Sequence, residues 1–203
     1  MMRAKWLFIA DGQLVFSNYT ERIVQGKIAR VPKILGTTAR EASALVTYPI
    51  NDVAAGPNET AVYESTFSTV CMIHEDGIAR AQYDLPTWRY QWAGNFTNIS
   101  PLWWLGAYHY SDLYMFFGTY LIAPGEITNL EIETSQTMQS LLLDFVKDPW
   151  SLSDSGWPAY YPNATNGGTV ARFGAASKAV QYVTGLEVEG ACTYSNMTLN
   201  MSP

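Results

Sequence analysis

Two short extended runs flank a long helical pattern, and that arrangement most constrains the fold. Val31-Pro32-Lys33-Ile34-Leu35-Gly36 reads as a short buried strand. Phe67 to Tyr83 carries helical spacing, with Val70, Ile73, Ile78 and Ala81 on one broad face, and Pro86 ends it. Thr87-Trp88-Arg89-Tyr90-Gln91-Trp92 alternates aromatic and polar residues, which suits a strand. Strands separated by helices predict α/β organisation with parallel strands. Such sheets place reactive residues just beyond the carboxyl ends of their strands. Glu41 falls a few residues after Gly36, and His109 falls in the loop after residues 87–92. Both are expected on the same edge of one sheet.

The rest of the chain fills in around this unit. Trp6 to Val15 reads as an extended piece with a turn at Asp11-Gly12. Ser17 to Gln25 reads as a short helix with Glu21 in its first turn and Gly26 near its C-cap. Residues 37–45 start a loop and helix, with Thr37 and Thr38 as caps. Residues 93–105 form a long loop. Thr134 to Phe145 is the clearest helix: Met138, Leu141, Leu142 and Phe145 share a face, Thr134 serves as N-cap, and Asp148-Pro149 stops it. Trp150 to Gly174, rich in Pro, Gly, Asn and Tyr, reads as loop. Val180 to Val188 reads as a final strand or strand pair.

The chain has 203 residues and a formal charge of -6. That length suits one domain, 1–203, with a substantial core. Scattered basic residues and a net negative charge argue against nucleic acid, which needs clustered Lys and Arg. No apolar run approaches the roughly 18 to 20 residues of a membrane span. Met1-Met2-Arg3-Ala4-Lys5 resembles a basic leader, but only Trp6 to Ala10 follows before Asp11. A secretory core needs roughly 7 to 15 apolar residues, so no signal peptide is expected here. No Cys/His cluster has metal-ligand spacing and no glycine loop cradles phosphate, so no metal or cofactor is expected.

Seven Asn-x-Ser/Thr sequons occur, at Asn18, Asn58, Asn95, Asn98, Asn163, Asn196 and Asn200, the last being the weakest. Each is a surface acceptor in a secreted protein. Cys71 and Cys192 fit the same compartment, since secreted thiols pair and cytosolic ones rarely do. A bridge between them is expected; two buried free thiols is the other reading.

The segment Gly106-Ala107-Tyr108-His109-Tyr110-Ser111-Asp112-Leu113 holds one of only two histidines. Its imidazole suits a general base or a loop histidine satisfied by backbone. His74, beside Glu75 and Asp76, reads as a solvated surface residue. Trp103, Trp104 and Tyr108 line either an apolar pocket for an ester substrate or the core. Asp112 is either an acid behind the histidine or a helix-start carboxylate.

Ordered blocks run along nearly the whole chain. They are Asp11-Gly12; Gly26-Lys27-x-Ala29-x-Val31-Pro32-x-x-x-Gly36-Thr37; Arg40-Glu41-x-Ser43; Phe67-x-x-x-Cys71; and Pro86-x-Trp88-Arg89-Tyr90. The histidine segment follows, then Phe117-Gly118, Asp148-Pro149 and Trp157-Pro158-x-Tyr160. In this order they resemble the C-terminal portion of the type-B carboxylesterase/lipase family, the cholinesterase-like branch of the α/β-hydrolases, and its secreted fungal type. The resemblance implies an incomplete, mostly parallel α/β-hydrolase sheet with flanking helices and carboxylic-ester hydrolysis. His109 matches the family's catalytic histidine, and Glu41 the acid that orients it. Arg40 stands where an acidic residue is usual, Ala42 where glycine is usual, and Asp112 where Glu is usual.

Chain order in this fold is Ser, then Asp or Glu, then His, and Glu41 before His109 obeys it. No Gly-x-Ser-x-Gly elbow occurs in the 203 residues, and no Gly-Gly run precedes Glu41 to supply oxyanion amides. Ser43, Ser111 and Ser177 lie outside elbow contexts. The expectation is the tail of a longer secreted esterase or lipase, inactive alone, with two members of a Ser–Glu–His triad and marginal stability. The alternative is a non-catalytic interaction module of the same fold, or a truncated secreted glycoprotein.

Overall fold

The computed structural model describes residues 9–203, the Thr20 side chain excepted. Met1 to Phe8, including the leader-like start and the first residues of the extended reading at Trp6, lie outside the described residues. The chain forms two compact units, one ending at Val31 and the other Pro32–Pro203.

In the first unit the Asp11 carboxylate accepts the N–H groups of Gln13, Leu14 and Val15 at 2.9, 2.9 and 3.0 Å. This holds a turn at Asp11-Gly12 and leaves no strand in the described residues up to Val15. Helix α1 (Tyr19–Val24) starts where the Asn18 side chain accepts the Glu21 N–H. Gly26, with φ +68, lies just past its end.

The second unit is built on four strands: β1 (Lys33–Thr38), β2 (Thr87–Trp92), β3 (Thr169–Phe173) and β4 (Val180–Thr184). They lie in the order β1-β2-β3-β4. The pairs β1–β2 and β2–β3 are parallel, and β3–β4 is antiparallel. Helix α2 (Glu59–Gln82) connects β1 to β2, and its N-terminus is capped by Asn58, which accepts the Ala61 N–H. Short helix α3 (Leu113–Phe116) follows the histidine loop. Helix α4 (Asn129–Lys147) and short helix α5 (Gly185–Glu189) complete the set.

Strand β2 is buried on both faces. Trp88 and Trp92 are fully enclosed with Met115, Met138, Leu152, Trp157 and Phe173 in the main core, on the α4 side. Two indoles fix the sheet to the following loop: Trp88 Nε1 donates to the Trp157 carbonyl at 3.1 Å, and Trp157 Nε1 to the Arg89 carbonyl at 3.0 Å. The other face carries Val170, packed with Tyr160 and Val188. Its polar member, Arg89, is fully buried and donates to Glu189 at 2.7 Å and to the Leu35 carbonyl at 2.7 Å. The alternation in β2 therefore marks a buried ion pair and not a solvated face.

Cys71 of α2 is bonded to Cys192, and the free-thiol reading is set aside. Val70, Ala191 and Leu199 cluster beside the bridge.

Several expectations are corrected. Thr37 and Thr38 lie inside β1 and cap nothing, and residues 39–45 hold turns and one bridge residue, Arg40, without a helix. The N-cap of α4 is Thr128, which accepts the Glu131 N–H; Thr134 lies inside the helix, its hydroxyl donating to the Leu130 carbonyl. The stretch read as loop after Trp150 contains β3. Val180 to Val188 is one strand followed by α5. The helix expected over 67–83 starts earlier, and its most buried positions include Val62, Thr66, Val70, His74 and Gly77.

His74 is not a solvated residue. It is 8% exposed, with Nδ1 3.2 Å from the Tyr160 hydroxyl and 3.3 Å from Glu189 Oε1. Its Nε2 lies 3.4 Å from the Thr193 hydroxyl.

Candidate active site

The site forms where the chain leaves the carboxyl ends of β1 and β2. Beyond the strands the two loops stay joined. The Arg40 N–H donates to the Ala107 carbonyl at 3.0 Å, and Arg40 and Tyr108 form an isolated parallel bridge. Gly106 permits this approach: its φ is +57, and a Cβ there would meet Arg40 Cδ at 2.5 Å. The loops continue the register of the sheet and place Glu41 opposite His109.

The Glu41 carboxylate is 5% exposed and uses both oxygens. Oε1 accepts the Thr38 N–H at 2.7 Å, and Oε2 lies 2.7 Å from His109 Nδ1. The imidazole is about one-third exposed. A carboxylate so held stabilises an imidazolium and fixes the ring as the Nδ1–H form, leaving Nε2 to accept a proton.

Behind the pair stands a second carboxylate. Tyr90 donates its hydroxyl to Asp112 Oδ2 at 2.6 Å. Burial pushes the Asp112 carboxyl up, against the opposing pull of the Tyr90 hydroxyl and the His109 charge. Burial, with the Asp112 charge, holds the Tyr90 phenol well above its ordinary range. Gly36 makes room for this phenol, since a Cβ there would lie 2.0 Å from Tyr90 Cζ.

Tyr110, Leu113 and Phe117, which belong to the histidine segment and the block after it, carry no role of their own in the sequence pattern. Tyr110 adopts a left-handed φ of +69, and its ring centroid lies 3.9 Å from that of His109. With Leu113 and Phe117 it lines an exposed apolar cleft. A non-glycine residue at positive φ beside a candidate base is the local signal of this feature, but it is visible only in coordinates.

The aromatic trio divides. Trp104 is buried against Tyr48, and its Nε1 donates to the Val53 carbonyl. Trp103 is 70% exposed and lines a cleft with Arg40, Glu59 and Gly106. Tyr108 is half-buried and donates to the Ile99 carbonyl.

The hydroxyls of Ser43 and Ser111 are buried and donate to main-chain carbonyls, of Leu105 and Arg40 and of Tyr108 respectively. Ser177 lies exposed between β3 and β4 with φ +58. Among the described residues no hydroxyl is hydrogen-bonded to His109 Nε2, and no group of three or more His, Cys, Asp or Glu has the geometry to hold a metal.

Of the sequon asparagines, Asn18, Asn58, Asn95, Asn163 and Asn196 are exposed, and Asn200 is half-buried. Asn98 is buried, and its Nδ2 donates to Glu131 Oε1 at 2.8 Å. The folded chain does not present it as the surface acceptor the sequon implies. No helix among the described residues is long and apolar enough to cross a membrane.

A mostly parallel sheet with flanking helices and an acid–histidine pair at its carboxyl edge defines an α/β protein with the arrangement of a partial α/β-hydrolase. The chain is similar to carboxylesterases and lipases. It is 40% identical over 159 residues to secreted lipase 5 of Gibberella zeae, a match covering 74% of this chain and 30% of that protein. It is 42% identical over 139 residues to chlorogenic acid esterase of Aspergillus niger, covering 68% of this chain and 27% of that one. The chain thus spans less than a third of the length of these relatives. No family model matches it. Among solved structures, a Clostridium hathewayi esterase that can hydrolyze aliphatic aromatic polyesters is 14% identical, with a TM-score of 0.45 over 74% of this chain and 35% of that chain.

Proposed function

We propose that this chain supplies the acid and base of a secreted carboxylic-ester hydrolase of the type-B, cholinesterase-like branch. Glu41 orients His109, and the nucleophilic serine comes from outside these 203 residues. The observation that carries the reading is the 2.7 Å contact between Glu41 Oε2 and His109 Nδ1, at the edge where α/β sheets place reactive groups.

In this reading His109 Nε2 takes the serine proton as the hydroxyl oxygen adds to the ester carbonyl. The imidazolium, held by Glu41, returns that proton to the departing alkoxide and an acyl-serine remains. Water then adds to the acyl carbon by the same exchange, giving the acid and the free serine. The apolar cleft of Tyr110, Leu113 and Phe117 suits an ester with an apolar or aromatic acyl group. The relatives' names, a lipase and a chlorogenic acid esterase, fit that class. The disulfide and the exposed sequons support an oxidising, secretory route.

The test is fluorophosphonate labelling, which reports an activated serine. The native protein from culture fluid is expected to label, and to lose labelling in His109→Ala. A native protein that does not label overturns the catalytic reading. Labelling of the isolated residues 1–203 overturns the placement of the nucleophile outside them.

A further inference from the structure

We infer that Asn163 carries an N-linked glycan whose first N-acetylglucosamine packs into an aromatic cleft at the end of the sheet opposite the acid–histidine pair. The cleft, of about 300 Å³, is lined by Trp150, Tyr161, Pro162, Asn163, Pro86 and Asp84, among others. That is room for a pyranose ring, at the lower end of small-ligand sites.

Its walls are apolar and exposed. Trp150 is 54% and Tyr161 64% exposed. Trp150 is also held in place: its ring meets Trp88 edge-on at 5.4 Å, and its main-chain N–H donates to Asp148 Oδ1. An indole anchored on one side and open on the other is a preformed platform. Pyranose rings present C–H faces that pack on such surfaces, while their hydroxyls need acceptors at the rim. Asp84 is the acidic residue in the lining.

The attachment point is fixed in the same wall. The Ala164 N–H donates to the Tyr161 carbonyl at 3.0 Å, which makes Tyr161-Pro162-Asn163-Ala164 a β-turn. Proline at its second position is the residue such a turn favours. Asn163 heads the sequon Asn163-Ala164-Thr165 and is exposed. It lines this cleft beside two exposed aromatic rings, and it also borders a second cleft with Thr165 and Tyr194.

Pro86 and Thr87 open β2, whereas Glu41 and His109 follow the far ends of β1 and β2. A sugar bound here covers aromatic surface and leaves the acid–histidine pair open. The inference rests on the secretory reading above but not on ester hydrolysis, so the two fail separately.

The experiment uses the glycosylated protein from a secreting eukaryotic host. Glycopeptide mass spectrometry is expected to find Asn163 occupied; an unmodified Asn163 overturns the inference. Peptide N-glycanase is then applied to the folded protein. Release from Asn163 is expected to be roughly tenfold slower than in Tyr161→Ser or Trp150→Ala, since a docked sugar shields its own linkage. Trp150→Ala also removes a contact to Trp88, so the exposed Tyr161→Ser is the decisive variant, compared at unchanged far-UV circular dichroism. Equal release rates in wild type and Tyr161→Ser overturn the docking.

Discussion

His109 Nδ1 lies 2.7 Å from one oxygen of Glu41, and the Thr38 N–H lies 2.7 Å from the other. The carboxylate is held between these two partners. Glu41→Gln keeps the shape but replaces one acceptor by an NH₂ group. With its oxygen on Thr38, that NH₂ faces Nδ1 and demands the Nε2–H tautomer, which is wrong for a base. For the hydrolase proposed above the expected loss in kcat is about 10⁴-fold. In the chain itself, ¹⁵N-edited histidine spectra report the tautomer directly. An unchanged Nδ1–H signal in Glu41→Gln contradicts this account.

A second relationship, between Gly36 and Tyr90, supports the histidine loop from below. A methyl group at Gly36 falls inside the Tyr90 ring. Gly36→Ala must push the phenol aside and separate it from Asp112, three residues beyond His109. The expected cost is about 1–3 kcal/mol, typical of overpacking, visible as a lower urea midpoint. Gly36→Ala combined with Tyr90→Ala is expected to be less than additive, because the obstacle is then gone. Full additivity refutes the contact.

What was legible in the sequence follows the reach of each interaction. Strand β2 was read residue for residue, because aromatic alternation is local. Strand β3 was missed: Thr169–Phe173 is mostly buried, carries little alternation, and sits among Gly, Asn and Pro. Thr37 and Thr38 looked like caps, yet β-branched residues also suit a strand end, and burial against the core decided it. His74 was misread because its partners Tyr160 and Thr193 lie 86 and 119 residues away. Glu41 and His109 came from chain order and family resemblance. Their contact depends on the parallel register of β1 and β2 and on the Arg40–Tyr108 bridge, which no local pattern reveals.

The bond between Cys71 and Cys192 spans 121 residues and ties α2 to the turn before the C-terminal segment. Closing so long a loop is worth roughly 4 to 5 kcal/mol in the chain-entropy model. Reduction under native conditions is expected to lower the denaturant midpoint accordingly, and Cys71→Ala with Cys192→Ala to match the reduced protein. Intact mass should differ by two hydrogens with and without reductant. A mass that never shifts shows that the thiols are unpaired.

The buried Glu189 sets an acid limit on stability. Burial alone would raise its carboxyl, but the Arg89 charge, with hydrogen bonds from His74, Arg89 and Tyr160, outweighs that and holds it at about 2. The folded value lies below the ordinary 4.5, so the unfolded chain binds the proton more readily. Its contribution is fully present above about pH 4.5 and is lost as pH falls toward 2. Asp112 works the other way: burial raises its carboxyl, so protonating it relieves a cost as pH falls. Urea midpoints measured from pH 5 to pH 2 are expected to fall if Glu189 dominates. Glu189→Gln leaves Arg89 buried without its counter-charge, at a cost of about 3–5 kcal/mol at pH 7. The same variant should show a shallower acid slope than wild type, because the titrating group is gone. An equal slope in both proteins would place the acid sensitivity elsewhere.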